Sequence, residues 1–203
     1  MKLIDEIINN NDQDKLSNYL SSRGLLPFDD CYWCDGVVHN NIIYSGLFII
    51  IRSADGEPTM VENRSVMGEW TKVWSDPDRI PIWNTSAINK CNSIIITESI
   101  LDAQSILQYT KHNNVISFMR ASFTSSQFYL FSYLFNGKKI ITLFDNDDGG
   151  KYGFNRLKSM SSIFRFDVNK VSFPYNDVNE YLVRSPRRFS QTINSLISEQ
   201  LNG

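Results

Sequence analysis

The sequence has no apolar segment of the roughly 20 residues that a membrane-spanning helix requires. Cysteine is also scarce: three residues in 203 argue against a disulfide-stabilised fold and favour a reducing compartment. The first ten residues, MKLIDEIINN, lack the basic flank and long apolar core of a signal peptide. We therefore expect a globular, cytoplasmic protein that does not associate with a membrane.

A strong excess of charge of one sign is also missing, since the formal net charge is −2. The charges are nevertheless unevenly distributed. Residues 1–97 contain 8 basic and 13 acidic side chains, whereas residues 98–203 contain 12 and 9. Five of those nine acids are assigned to one site below, which leaves the rest of the C-terminal half basic. Such a surface permits contacts with phosphate groups but does not require them.

The N-terminal half mixes helical and strand-like patterns. Residues 12–24 have the periodicity of a helix that ends at a glycine, and residues 25–41 are predicted as a loop rich in aromatic and acidic residues. Residues 42–64 are predicted as two strands joined at the turn ADGE. We therefore predict an α+β subdomain over residues 1–92.

From residue 93 the pattern is regular. The apolar runs SIIIT, VISFM, KIITLF and the segment 167–173 alternate with segments of helical periodicity. Continuous apolar strands that alternate with helices are typical of a parallel sheet covered on both faces. We predict an α/β domain over residues 93–184 and a C-terminal helix over residues 185–203.

Acidic residues follow the predicted strands of this domain. Glu98 comes directly after the first strand, and Asp145 and Asp147 come after the third; Asp102 lies one helical turn beyond Glu98, and Asp177 follows the fourth strand. The carboxyl ends of parallel strands meet at one edge of a sheet, where ligands bind. Carboxylate oxygens with open coordination positions suit Mg²⁺, which can clamp the attacking and leaving oxygens of a phosphate.

A simpler interpretation exists for the segment DNDDGG. Aspartate is common at helix N-termini, so these acids can be only the capping turn of the next helix. Acid at two separate strand ends favours a site, with Asp148 on the surface. Gly149 and Gly150 then allow a close backbone approach at the start of a helix whose N–H groups favour anions.

Several segments resemble the signature blocks of Toprim domains. They are IIITESILDAQSI (94–106), VISFMRASFTSSQ (115–127), LFDNDDGG (143–150) and YNDVNEYL (175–182). Toprim domains occur in DnaG-type primases, topoisomerases and some nucleases. The resemblance implies the Toprim fold, with Mg²⁺ or Mn²⁺ as cofactor. It implies that Glu98 is the general acid/base and also a metal ligand, that Asp145 and Asp147 bind metal, and that Asp102 and Asp177 support catalysis and metal binding.

The N-terminal half resembles the catalytic core of DnaG-type primases. The similar segments are YLSSRGL (19–25), FIIIRSADGEPTMVENR (48–64) and KVWSDPDRIPIWN (72–84). By this resemblance Arg52, Arg64 and Lys72 contact the phosphates of the incoming nucleotide or the template. Lys151, in the helix after DNDDGG, is a further candidate for such a contact.

Three positions depart from the family pattern. Ser99 stands where a glycine usually follows the catalytic glutamate, and Arg120 stands where the family tends to have glycine. Asn179 replaces an expected second aspartate, which weakens one metal position. The acids most central to the chemistry are intact, so we predict an active enzyme.

Cys31, Cys34 and His39 are spaced in a way that resembles half of a zinc site. A structural zinc ion requires four ligands, and Cys91 and His112 are isolated, so buried thiols are favoured over zinc. DnaG-type primases carry a separate zinc-binding module and a helicase-binding tail, and 203 residues are too few for either. We therefore expect a bare catalytic core, as in a compact phage or mobile-element primase.

The resemblance predicts a DNA primase core that synthesises short RNA primers from NTPs on a single-stranded DNA template by two-metal nucleotidyl transfer. A replicative helicase or other replisome proteins are the expected partners. Two alternatives stay open. One is a Toprim nuclease, which uses the same acids, and the other is a non-catalytic Toprim-like module that recruits replication proteins.

Overall fold

The computed structural model describes residues 2–53, 55–65, 71–75, 82–119 and 125–202, apart from the side chains of residues 71, 72, 75, 125–128 and 202. Arg120 therefore lies outside the described residues. The chain divides into two compact units, Met1–Pro77 and Asp78–Gly203. The segment 93–184 falls within the second unit, and the subdomain boundaries given above stay predictions.

The first unit is a four-stranded antiparallel sheet with two helices. In chain order its elements are α1 (Lys2–Asn9), α2 (Gln13–Ser22), β1 (Cys31–His39), β2 (Ile42–Arg52), β3 (Pro58–Ser65) and β4 (Thr71–Ser75). The strands are ordered β1-β2-β3-β4. Helix α2 begins where Asp12 accepts a hydrogen bond from the backbone N–H of Lys15 at 3.0 Å, which confirms the predicted helix. The turn between β2 and β3 is the predicted one, with Gly56 at φ +87°.

Strand β1 corrects the prediction of a loop over residues 25–41. Its residues pair with β2, Cys31 opposite Ile49 and Trp33 opposite Leu47, and the register shifts between Cys34 and Val37. The bulge interrupts the alternation of inward and outward side chains that would have indicated a strand in the sequence. The pairing with β2, which follows β1 after only two residues, therefore determines this element.

The cysteines of the first unit belong to its apolar core. Cys34 packs in a cluster with Ile7, Phe48 and Ile50, and its thiol donates to the carbonyl of Ile7 at 3.2 Å. Burial raises the pKa of the Cys34 thiol to about 12 and also raises the pKa of the Cys31 thiol. Both thiols are free and buried, as predicted, and buried protonated thiols are poor zinc ligands.

The second unit is a parallel sheet with helices. Its elements are β5 (Ser93–Thr97), α3 (Ile100–Tyr109), β6 (Val115–Ser117), α4 (Ser125–Phe135), β7 (Lys139–Leu143), α5 (Asp148–Phe164), β8 (Asp167–Lys170), α6 (Val178–Arg184) and α7 (Pro186–Asn202). The strands are ordered β6-β5-β7-β8 and every neighbouring pair is parallel, which confirms the predicted fold class. Among the described helices, none has the length and apolar character needed to cross a bilayer.

The sheet of the second unit is buried on both faces, which explains its continuous apolar strands. On β5, Ile94 and Ile96 pack in one cluster with Phe131 of α4 and Leu157 of α5, while Ile95, which is also fully buried, points to the opposite face. The buried strands fix the register of the sheet. The ends of β5 and β7 therefore align, and the residues that follow them emerge side by side.

Candidate active site

Glu98 and Asp145 meet at the carboxyl ends of two neighbouring strands. Thr97, the last residue of β5, lies opposite Leu143, the last residue of β7. The chain leaves both strands at the same edge, and the backbone N–H of Asp145 donates to Oε1 of Glu98 at 3.1 Å. The parallel register therefore brings together two acids that are 47 positions apart in the sequence.

The electrostatics of this edge link five acids. Burial raises the pKa of Asp145 to about 8, and the nearby charges of Asp102, Glu98, Asp177 and Asp147 contribute to that rise. Burial likewise raises the pKa of Glu98 to about 7; the N–H of Asp145 opposes that rise, whereas Asp147 and Asp102 add to it. These carboxylates are close enough to disfavour each other's charge, which is the condition that a bound cation relieves.

Two of these acids also cap helices. One oxygen of Asp147 accepts from the N–H of Gly150 at 2.8 Å at the start of α5, and one oxygen of Asp177 accepts from the N–H of Glu180 at 2.5 Å at the start of α6. The capping interpretation of DNDDGG is therefore correct as far as Asp147 is concerned. It does not account for Asp145, whose Oδ1 is buried and has no hydrogen-bond partner in the described part of the chain.

Gly150 is required by a close approach of the backbone. A Cβ atom at this position would lie 2.1 Å from the carbonyl oxygen of Asp145 and 2.7 Å from Oε1 of Glu98. A Cβ at Gly149 would meet only the side chain of Asp147, with Oδ1 nearest at 3.2 Å. The second glycine of the pair therefore allows α5 to begin directly against the two acids.

Asp102 is held by a hydrogen-bond network that joins α3 to α6. Its side chain is almost fully buried; Oδ2 accepts from the hydroxyl of Ser99 at 2.5 Å, and Oδ1 accepts from the backbone N–H of Asn179 at 2.8 Å. The side-chain amide of Asn179 donates to Ser105 Oγ at 2.9 Å. Two of the positions that depart from the family pattern, Ser99 and Asn179, thus lie in one network with Asp102.

A signal for part of this network was present in the sequence. Ser99 precedes Asp102 by three positions. This is the spacing of a capping box, in which a serine side chain caps the helix and an acidic side chain three residues later bonds back to the capping residue. The backbone N–H of Asp102 does donate to Ser99 Oγ, at 3.2 Å. The contact with Asn179 has no such signal, because it joins residues 77 positions apart.

The two predicted arginines of the first unit, Arg52 and Arg64, are each paired with an acid of that unit. Arg52 Nε donates to both carboxylate oxygens of Asp30, at 2.9 and 2.8 Å, and its Nη1 donates to the carbonyl of Gly56 at 3.0 Å. Arg64 Nε donates to Oε1 of the buried Glu62 at 2.8 Å. These pairings orient the guanidinium groups and partly neutralise them.

Two predicted lysines contribute little to the described geometry. Lys72 lies on β4, but its side chain is outside the described residues. Lys151 lies in the first turn of α5 and forms an exposed ion pair with Asp148 at 3.0 Å. The Asp148 side chain is fully exposed, as predicted for a surface residue.

The residues at the sheet edge fit an open cation site, in which water completes the coordination, better than one closed by protein ligands alone. Among the described residues, no group of three or more His, Cys, Asp or Glu side chains is arranged to hold a metal ion. The donors are nevertheless all carboxylate oxygens, the buried Oδ1 of Asp145 lacks a partner among the described residues, and burial and mutual repulsion raise the pKa of Asp145. Mg²⁺ binds such sites through one or two carboxylates and keeps several waters.

These features define a parallel α/β domain whose acidic side chains cluster where the strands of its sheet end. Residues 95–182 match the family model Toprim_2, described as Toprim-like, so the fold of this part of the chain is similar to that of Toprim domains. A search of curated proteins finds no match.

Solved structures share the fold over nearly the whole chain. The zinc-binding and RNA polymerase domains of the Aquifex aeolicus primase align with a TM-score of 0.73 and 16% identity, covering 97% of this chain and 60% of that one. The catalytic core of DnaG gives 0.69 and 15%, covering 98% and 79%. The primase fragment of the bacteriophage T7 primase-helicase gives 0.59 and 16%, covering 94% and 72%.

These alignments show that the fold is that of primase catalytic cores, in both its α/β and its antiparallel parts. The chain spans about three fifths of the Aquifex aeolicus protein that it matches.

Proposed function

We propose that this protein is a primase core that joins ribonucleotides into short RNA primers on single-stranded DNA. The observation that carries the proposal is the meeting of Glu98 and Asp145 at neighbouring strand ends, where their pKa values are raised to about 7 and about 8. The shared fold supports it, since one of the similar structures is a DnaG catalytic domain bound to single-stranded DNA.

In this proposal Asp145 and Asp147 hold Mg²⁺, with Glu98 and Asp177 beside them. The ion, when bound, supplies a positive charge that stabilises the phosphates during nucleotidyl transfer. Glu98 is the proposed general base, which would accept the proton of a primer 3′-hydroxyl.

Phosphate contacts are proposed for the predicted basic residues, Arg52, Arg64, Lys72 and Lys151. The pairing with Asp30 holds the guanidinium group of Arg52 in one orientation, so less conformational entropy is lost when this group binds a phosphate. A helicase or other replisome protein is the proposed partner, by analogy with the T7 primase-helicase.

We propose a positioning role for Asp102, in place of the catalytic role that the resemblance implies. Both of its oxygens already accept hydrogen bonds, from Ser99 and from the backbone of Asn179. The carboxylate therefore ties the turn after β5 to the start of α6, and with it fixes Asp177, whose charge acts on Asp145.

Replacement of Asp102 tests this role. Asp102→Ala leaves the buried N–H of Asn179 without its acceptor, so we expect a loss of about 1 to 3 kcal/mol in the free energy of unfolding, measured in urea. Asp102→Asn keeps an acceptor oxygen and is expected to recover most of this stability, together with nucleotide incorporation within about tenfold of wild type.

Two results bear on the alternatives for Asp102. If Asp102→Asn is as inactive as Asp102→Ala while being as stable as wild type, Asp102 acts in the chemistry and the positioning role is wrong. Asp148→Ala is the matched control, because that acid is fully exposed; its unfolding free energy is expected to stay within about 0.5 kcal/mol of wild type.

Incorporation of labelled NTPs on single-stranded DNA tests the proposed function itself. We expect short RNA products that require both Mg²⁺ and template. Cleavage of nucleic acid without NTPs would instead identify a nuclease, and template binding without products or a Mg²⁺ requirement would identify a non-catalytic module. Either result would overturn the proposal.

A further inference from the structure

An arginine-lined hollow lies where α6 ends and α7 begins. Its volume is about 280 Å³, and the residues that line it are consecutive: Arg184, Ser185, Pro186, Arg187 and Arg188. All three arginines are exposed. None of the residues assigned to the acidic site lines this hollow.

The positive charge of the hollow is only partly neutralised. Arg184 Nε donates to Oε1 of Glu180 at 2.7 Å in an exposed pair. Within the described part of the chain, the side chains of Arg187 and Arg188 form no hydrogen bond or ion pair. Single exposed arginines are ordinarily just solvated, but three that line one concave surface repel each other, and an anion in the hollow reduces that repulsion.

The backbone that carries these arginines is fixed. The hydroxyls of Ser185 and Tyr175 are 2.8 Å apart, and the Ser185 N–H donates to the carbonyl of Tyr181 at 2.9 Å. The Ser185 carbonyl in turn accepts from the N–H groups of Arg188 and Phe189, each at 3.0 Å. Because this backbone is fixed before any ligand binds, the conformational entropy lost on binding is confined to the arginine side chains.

The hollow lies at the opposite end of α6 from the acidic site. Asp177 caps the start of α6. The carbonyl of the preceding residue, Asn176, accepts from the backbone N–H of Asn146 at 2.8 Å, and Asn146 lies between Asp145 and Asp147 in the sequence. The seven residues of α6 span about 10 Å at 1.5 Å per residue. This distance corresponds to about three stacked nucleotides at roughly 3.4 Å each.

We infer that this hollow binds backbone phosphates of the single-stranded template, a neighbouring segment of which passes the acidic site. The inference rests on the proposed function and adds to it a second point of contact with the strand. Guanidinium groups form paired hydrogen bonds with phosphate oxygens, which lysines cannot match. The phosphates of a free NTP share this chemistry, so the experiment must separate the strand from the nucleotide.

Binding of a fluorescent oligothymidylate of about 16 nucleotides tests the inference, in EDTA and without NTPs, so that neither metal nor catalysis contributes. The variant is Arg187→Ala with Arg188→Ala. The control is Lys90→Ala with Lys111→Ala, which removes the same charge. Both lysines are exposed and precede β5 and β6, so they lie towards the amino ends of the strands, away from the acidic site. Circular dichroism establishes that both variants are folded.

We expect the arginine variant to bind about tenfold more weakly at low salt. Its slope of log affinity against log salt concentration should become shallower by about 1.4, because each phosphate that an arginine neutralises on a single strand accounts for about 0.7. The lysine control should keep the wild-type slope. Equal affinities and slopes for the arginine variant and the control would overturn the inference, as would weakened NTP binding with an unchanged oligonucleotide slope.

The outcome is separable from that of the proposed function. Asp145→Asn keeps the arginine hollow and is expected to bind the oligonucleotide like wild type in EDTA. If the protein makes no RNA, the arginine variant can still bind the oligonucleotide more weakly than wild type. If the protein does make RNA, the arginine variant can still bind as tightly as wild type.

Discussion

Asp145→Asn is expected to reduce nucleotide incorporation by at least about 10³-fold while making the metal-free protein more stable at pH 8. The first effect follows from losing a proposed metal ligand, which stabilises charge in the transition state. Incorporation of labelled NTPs on single-stranded DNA measures it.

The effect on stability follows from the pKa of Asp145. This carboxyl titrates near 3.8 when unfolded and at about 8 in the folded protein, so the folded state binds the additional proton between these values. The corresponding stability is fully present below about pH 4 and is lost as the pH rises towards 8. Asparagine carries no charge and escapes this loss, so at pH 8 in EDTA we expect an unfolding temperature about 5 °C or more above that of wild type.

The exposed neighbour Asp148 is the control for both effects. Asp148→Asn is expected to match wild type in incorporation and in unfolding temperature, because its side chain is fully exposed and its ion pair is weak. A fully active Asp145→Asn would contradict the proposed metal ligand. An Asp145→Asn variant less stable than wild type at pH 8 would contradict the crowding of the acids.

Gly150→Ala is expected to have the second-largest effect. The new Cβ would lie 2.1 Å from a backbone oxygen, that of Asp145, which no side-chain rotation can relieve, and the start of α5 must move. We expect a loss of about 3 kcal/mol in unfolding free energy in urea. Incorporation should fall more than about 10²-fold, because the displaced helix disturbs Glu98 and Asp145.

Gly149→Ala is the matched control, since it adds the same methyl group one position earlier. Its Cβ would meet only a side chain, whose nearest atom is an oxygen at 3.2 Å, and alanine favours helix over glycine. We expect its unfolding free energy to lie within about 1 kcal/mol of wild type and its activity to be retained. Equal effects at the two glycines would show that the close approach at Gly150 is unimportant.

The parallel sheet could be predicted from the sequence because its two central strands, β5 and β7, are recognisable from their own residues. SIIIT and KIITL are continuous apolar runs because both of their faces are buried, and the helices between them keep a regular period. Strand β1 could not be predicted in this way. Its bulge disrupts the alternation, and its pairing partner β2 is what makes it a strand.

The candidate site likewise has a part that could be predicted from the sequence and a part that could not. Glu98 and Asp145 could be placed together from the sequence, since the ends of parallel strands share an edge. The hydrogen-bond partners of Asp102 could not all be predicted, because its contact with Asn179 depends on where α6 packs against α3. A motif identifies the acid but does not reveal whether its oxygens are already occupied.

A Mg²⁺ titration of the unfolding temperature at pH 8 tests the central claim most directly, with wild type and Asp145→Asn measured side by side. A ligand that binds only the folded protein stabilises it by about 2.7 kcal/mol at one hundred times its Kd. We predict that Mg²⁺ raises the unfolding temperature of wild type and leaves the unfolding temperature of Asp145→Asn unchanged. An equal response of the two proteins, or none in wild type, would contradict a metal site at these strand ends.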